Sequence, residues 1–207
     1  MPSARAPADS TKPLRGGRRA LVLGIGNILW ADEGFGVRAV EAFHRDHVLP
    51  GDVTVMDGGT QGLYLVNYLE GIDDLLVFDA IDYGLEPGTL KLVRDGEVPK
   101  FTGAKKMSLH QTGFQEVLSA AELMGFYPGR LALIGCQPLD LEDWGGPLTQ
   151  AVAGRIPTAI EAAVAILTEW GYAVGRREAP LAEGEALLGN DIDHAAYERR
   201  AETGIGT

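Results

Sequence analysis

The chain has 207 residues, 45% apolar and 23% charged, as expected for one globular domain with tails and a core of useful size. Its formal net charge of −11 and pI of about 4.8 repel nucleic acid and anionic membrane, so neither is an expected partner. The one cysteine, Cys136, excludes an internal disulfide, and no run reaches the ~18 apolar residues that cross a bilayer; a cytoplasmic protein is expected.

Residues 1–18 are rich in Pro, Ala, Ser, Gly and Arg and read as a disordered leader. Arg18-Arg19 before the apolar run Ala20 to Trp30 loosely imitates an export signal. Gly24, Gly26 and Asn27 interrupt that run, however, and Asp32-Glu33-Gly34 follows it where a small-residue cleavage site would stand. Ala20 to Ile25 suits a strand buried on both faces. Asp32 is placed to cap a helix over about 34–45, with Val37, Val40 and Phe43 on one face and Arg38, Glu41 and Arg45 elsewhere. Val53 to Met56 is a second strand, closed by Asp57-Gly58-Gly59-Thr60, and Gly62 to Leu69 a short helix. Leu75 to Phe78 is a third buried strand ending at Asp79. After the turn Glu86-Pro87-Gly88, Thr89 to Arg94 alternates like an edge strand. Thr112 is placed to cap a helix holding Val117, Leu118, Ala121 and Met124. Arg130 to Cys136 is another apolar strand, and a long helix follows with Pro157 near its start and Ala162, Ile166, Leu167 and Trp170 inward. Strands separated by helices predict an α/β fold, a three-layer α/β/α sandwich with a mostly parallel sheet. The core runs over residues 19–173, and 174–207 form a charged tail with one short helix around His194 to Arg200.

Ligands of open α/β sheets bind outside the carboxyl ends of the strands. Acids stand there three times: Asp32-Glu33, Asp57 and Asp79. His110 lies in the loop before the helix near Thr112. Carboxylates with an imidazole suit a borderline divalent ion and also proton transfer at a polarised carbonyl. Each has a plainer reading: Asp32 as a helix cap, Asp57 as an Asx-turn, His110 as a loop imidazole. Asp79, directly after four apolar residues, must be paired, liganded or solvated by a cleft. His44 and His47 favour a helix end, and Cys136 reads as a small buried hydrophobe. Gly24-x-Gly26-x-x-Leu29 lacks the third glycine of the dinucleotide fingerprint, and no P-loop, His-Glu-x-x-His, Gly-x-Ser-x-Gly or paired Cys-x-x-Cys is present. The residues alone describe an α/β protein with an acidic, metal-reading cleft.

The string Leu23-Gly24-Ile25-Gly26-Asn27-Ile28-Leu29 running into Asp32-Glu33-Gly34-Phe35-Gly36 resembles the opening signature of the [NiFe]-hydrogenase maturation proteases. The resemblance continues through Asp57-Gly58-Gly59-Thr60, Asp79-Ala80-Ile81 with Pro87-Gly88, and Ser108-Leu109-His110-Gln111, covering about residues 19–173. It implies a sheet of five strands and an aspartic-type endopeptidase that removes the C-terminal peptide of the hydrogenase large-subunit precursor after nickel insertion. The metal contacts of the family fall on Glu33, Asp79 and His110, and catalytic roles on Glu33, Asp79 and Asp57. No permanently bound cofactor is implied, because the nickel arrives with the precursor, and a monomer is expected. Two readings remain beside it: a non-catalytic nickel-sensing chaperone of the same precursor, and an endopeptidase of the same superfamily with another target.

Overall fold

The structure, a computed structural model, describes residues 17–98 and 109–179 together with Leu181 and Leu187, and only the backbone of 109–113. The leader up to residue 16 and the short helix expected around His194 lie outside the described residues. Five strands, β1 (Ala20–Ile25), β3 (Val53–Gly59), β4 (Asp74–Ala80), β5 (Leu90–Arg94) and β6 (Arg130–Cys136), form one sheet in the order β3-β1-β4-β6-β5. Every pairing is parallel except that of the edge strand β5 with β6. The near-continuous apolar sequences of β1, β4 and β6 follow from this, because central parallel strands are covered on both faces.

Helices α1 (Phe35–Asp46) and α4 (Ile156–Glu169) cover one face, burying Phe35, Ala39, Val40, Phe43, Ile166 and Leu167 with Val22, Leu76 and Phe78. The 3-10 helix Gly62–Leu69 and helix α2 (Leu109–Met124) cover the other, burying Leu65, Leu69, Val117 and Leu118 with Leu23, Leu75, Val77 and Leu133. The expected three-layer α/β/α sandwich is therefore the observed architecture. Helix α3 (Gln150–Ala153) leads into α4. The stretch Gln150–Glu169 is long and apolar enough to span a bilayer by length and composition, which the sequence reading overlooked. Here Val152, Ala159 and Ala163 of that stretch pack into the core.

Three local expectations change. Arg38 and Glu41, expected away from the apolar face of α1, are buried as well, since α4 also packs on that helix; the two side chains pair at 3.2 Å. Thr112 lies inside α2, which already starts at Leu109, so it is not the cap. Met124 is half exposed, since the chain turns at Gly125 (φ 74°) and it is Phe126 that packs against the core. The composition boundaries also shift by a few residues: strand β2 (His47–Val48) pairs antiparallel with β7 (Gly175–Arg176).

At the amino end of β4, Asp74 is fully buried and accepts five hydrogen bonds, two each from Arg18 and Arg130 and one from the Tyr172 hydroxyl at 2.6 Å. Burial alone would raise its pKa. The bonds from Arg130, Arg18 and Tyr172 overcome that and hold it well below the usual carboxylate range. A carboxylate with a depressed folded pKa stabilises fully above its unfolded value of about 3.9, and the contribution is lost as pH falls through the folded value. Asp74→Asn is expected to cost about 2 kcal/mol at pH 7, the half-exposed arginines regaining water, and the gap should close in denaturant titrations below pH 3.

Candidate active site

The sheet order places a topological switch between β1 and β4: the chain leaves β1 toward β3 on one side and returns to β4 on the other. Ligands of such sheets bind at that crevice. The glycines of the first motif serve backbone packing at this point. A Cβ on Gly36, at the start of α1, would collide with the carbonyl oxygens of Ile25 and Phe78, the carboxyl ends of β1 and β4. Gly26, at φ 137°, lies so close under the Glu33 carbonyl that no side chain fits between them. The 3-10 turn Ala31–Gly34 thus folds back over the end of β1, with the Asn27 N–H donating to the Glu33 carbonyl at 3.2 Å.

That turn delivers Glu33, half-buried, to one side of the switch; Asp79, the penultimate residue of β4, stands on the other. Asp79 is 4% exposed. Burial pushes its carboxyl well above the usual range, the Ala80 N–H pulls it down, and the charge of Glu33 pushes it up again. The Asp79 carboxyl therefore senses the Glu33 charge across the crevice. Along β4, Asp79 follows the alternation of Leu75 and Val77, so it projects to the face that α2 covers.

Asp57 does not join them. It pairs in register with Gly24, and alternation with Val53 and Val55 turns it to the α1 face. Its pKa is raised by burial, lowered by the Gly59 N–H that donates to it at 2.8 Å, raised by Glu41 and lowered by Arg38. The expected convergence of all the acids on one cleft is corrected accordingly: Asp57 and Asp79 project to opposite faces of the sheet, and a bulge at Gly58 shifts the β1–β3 register by one residue before Ile25 pairs with Gly59. For His110 only the backbone is described, in the first turn of α2; its side chain lies outside the described residues. Among the described residues no three of His, Cys, Asp and Glu group closely enough to hold a metal ion.

The family model for hydrogenase maturation proteases matches residues 37–166. The chain belongs to the hydrogenase maturation protease family. It is 74% identical over 182 residues to a hydrogenase expression/formation protein, HupD, of Bradyrhizobium diazoefficiens, covering 88% of this chain and 95% of that protein. It is 44% identical over 163 residues to the hydrogenase 2 maturation protease of Escherichia coli, covering 78% of this chain and 98% of that protein. The solved structure of the hydrogenase maturating endopeptidase HybD from E. coli superposes with a TM-score of 0.73 at 42% identity, over 77% of this chain and 98% of that one.

Within this maturation protease, two polar residues hold the crevice in ways the sequence reading missed. Asp32 does not cap α1. Its fully buried carboxylate accepts from the N–H groups of Leu139 (2.8 Å), Asp140 (3.0 Å) and Thr149 (2.7 Å) and from the Thr149 hydroxyl (2.9 Å). The β1–α1 loop is thereby tied to the loop after β6, and Trp30 meets Trp144 edge-on at 4.9 Å between centroids. Gln137, 5% exposed, accepts from the N–H groups of Tyr83 and Leu85 and donates to Asp82, holding the loop after Asp79. A polar residue directly after the apolar run of β6 was the available signal for Gln137; for Asp32 nothing local distinguishes a clamp from a cap.

Cys136, fully buried at the end of β6, fits the hydrophobe reading. Burial, and secondarily the Asp32 charge, push its thiol up to about 12. A thiol so placed is no nucleophile at neutral pH. The native protease is expected to resist iodoacetamide at pH 8, with cleavage activity unchanged after treatment; one alkylated site per chain by mass with lost activity would contradict this.

Proposed function

We propose that this protease removes the C-terminal peptide of a [NiFe]-hydrogenase large-subunit precursor once nickel is inserted, with Glu33, Asp79 and His110 contacting the nickel that the precursor carries. The observation that supports it most is the buried Asp79 carboxyl beside Glu33 at the switch point. Burial and a neighbouring like charge disfavour ionisation there until a cation arrives. A nickel-loaded precursor brings that cation and an empty one does not, so the site discriminates by charge before any chemistry occurs. Carboxylate and imidazole are suitable ligands for Ni²⁺, and α2, whose first turn carries His110, packs on the face to which Asp79 projects. Nickel is on this reading part of the substrate, and no resident cofactor is needed. Cleavage is of the aspartic type, one carboxylate taking the proton of the attacking water and returning it to the leaving nitrogen. Asp57 acts at most indirectly, through the α1 pair Arg38–Glu41. The enzyme works as a cytoplasmic monomer.

The deciding experiment incubates the purified protein with nickel-loaded and nickel-free large-subunit precursor and weighs the products. Loss of a C-terminal peptide from the loaded form alone is expected. An uncut loaded precursor that still co-elutes with the protein would make it a nickel-sensing chaperone, and equal cutting of both forms would remove nickel from recognition.

A further inference from the structure

The loop after β4 carries a tyrosine that the reading above does not use. Tyr83 folds over Gly135 of β6: a Cβ on that glycine would lie 3.0 Å from Tyr83 Cε2, 3.1 Å from Cζ and closer still to the hydroxyl oxygen. Gly135 pairs in register with Asp79 on one side and Lys91 on the other. Paired residues of neighbouring strands project to the same face about 4.8 Å apart, so the hydroxyl lies about one strand spacing from Asp79. The Tyr83 N–H donates to the Ile81 carbonyl at 3.1 Å, and two further contacts help to fix the residue. Its N–H donates to Gln137 Oε1 at 2.7 Å, and Lys91 Nζ sits 4.8 Å from the ring centroid.

The hydroxyl oxygen is itself buried and has no hydrogen-bond partner among the described residues. Buried tyrosine hydroxyls normally find a partner, because leaving one unmade forfeits the hydration of the group. Beside a reacting centre, an unspent donor is explained when the partner is the substrate. The position fits: the hydroxyl lies on the face of the sheet to which Asp79 projects, at the carboxyl ends of β4 and β6.

We propose that Tyr83 is a catalytic residue whose hydroxyl donates a hydrogen bond to the carbonyl oxygen of the scissile peptide, an inference that rests on the peptidase reading above. As water oxygen bonds to the carbonyl carbon, the C=O π pair moves onto the oxygen that Tyr83 holds, and a carboxylate takes the water proton. When the C–N bond breaks, that pair re-forms the carbonyl and the carboxyl returns the proton to the departing nitrogen. Tyr83 keeps its own proton throughout; burial, and then the charge of Asp79, hold its hydroxyl above the ordinary phenol pKa.

The test compares full-length wild type, Tyr83→Phe and Gly135→Ala for cleavage of nickel-loaded precursor and for thermal unfolding. Removing one oxyanion donor costs on the order of 100-fold in kcat, so Tyr83→Phe should lose about that much with KM within about twofold. Its Tm should hold or rise by about 2–4 °C, because an unpaired buried hydroxyl is gone. Gly135→Ala keeps the phenol but displaces it, and kcat should fall likewise. A Tyr83→Phe enzyme with wild-type kcat overturns the proposal. So does a Tm lowered by several degrees, which would mean that the hydroxyl was already bonded. Wild-type protein that leaves the precursor uncut is a separate failure, of the peptidase reading itself, and takes this inference with it.

Discussion

Asp79→Asn is expected to slow precursor processing at least ~10³-fold, as loss of a group central to acid–base chemistry does, while raising the melting temperature. The amide keeps the shape of the side chain but can neither carry a proton to the leaving nitrogen nor offer a charge to nickel. The stability gain comes from the same burial. Because the folded pKa of Asp79 is raised, the folded state loses nothing below the unfolded value of about 3.9 and is progressively penalised as pH rises toward the folded one. Asparagine removes that penalty, so the Tm advantage of the variant should be larger at pH 8 than at pH 5. Glu33→Gln should lose processing comparably with little change in Tm, since Glu33 is only half-buried. Precursor mass over time and circular-dichroism melts at the two pH values check both. A wild-type rate in Asp79→Asn would take this residue out of the mechanism.

Asp32→Ala should be the most destabilising single change near the crevice, costing about 4 kcal/mol and about 10 °C in Tm. Four donors converge on that carboxylate, and the Asp32 N–H in turn donates to the Asp140 carbonyl at 3.1 Å. Truncation deprives three N–H groups and a hydroxyl of their fully buried acceptor. Ala31, just before it, is held at φ 33°, a conformation that costs energy for a residue with a Cβ and persists only while its surroundings fix it. Once the clamp is lost, the turn relaxes and Glu33 moves with it, so processing falls too. Asparagine at the same place is expected to rescue in part, because its carbonyl oxygen can take the three donors that meet at Oδ2 while its NH2 opposes only the Thr149 N–H. A denaturant curve for Asp32→Ala within about 1 kcal/mol of wild type would show that the loops hold without the clamp.

Residue order alone was sufficient for the layers of this protein. The apolar runs Ala20 to Ile25, Leu75 to Phe78 and Arg130 to Cys136, separated by amphipathic stretches, admit little except a mostly parallel sheet between helices, because strands covered on both faces cannot alternate. The placement of Glu33 and Asp79 after strands was legible for the same reason, parallel strands bringing their carboxyl ends to one edge. What the pattern left open was which face of the sheet each side chain takes and which residues meet from distant parts of the chain. Asp57 and Asp79 both stand at strand ends in the sequence, yet alternation along β3 and β4 turns them to opposite faces. Asp32 has the residue type of a helix cap, but its partners are 107 to 117 residues away, and only the packed loops show that it is a clamp. Tyr83 lies beside Asp79 because Gly135, two strands on in sequence, leaves room for its ring. Local composition determines which elements form and where they end; contacts between elements depend on register, handedness and close packing, which arise only when the whole chain is assembled.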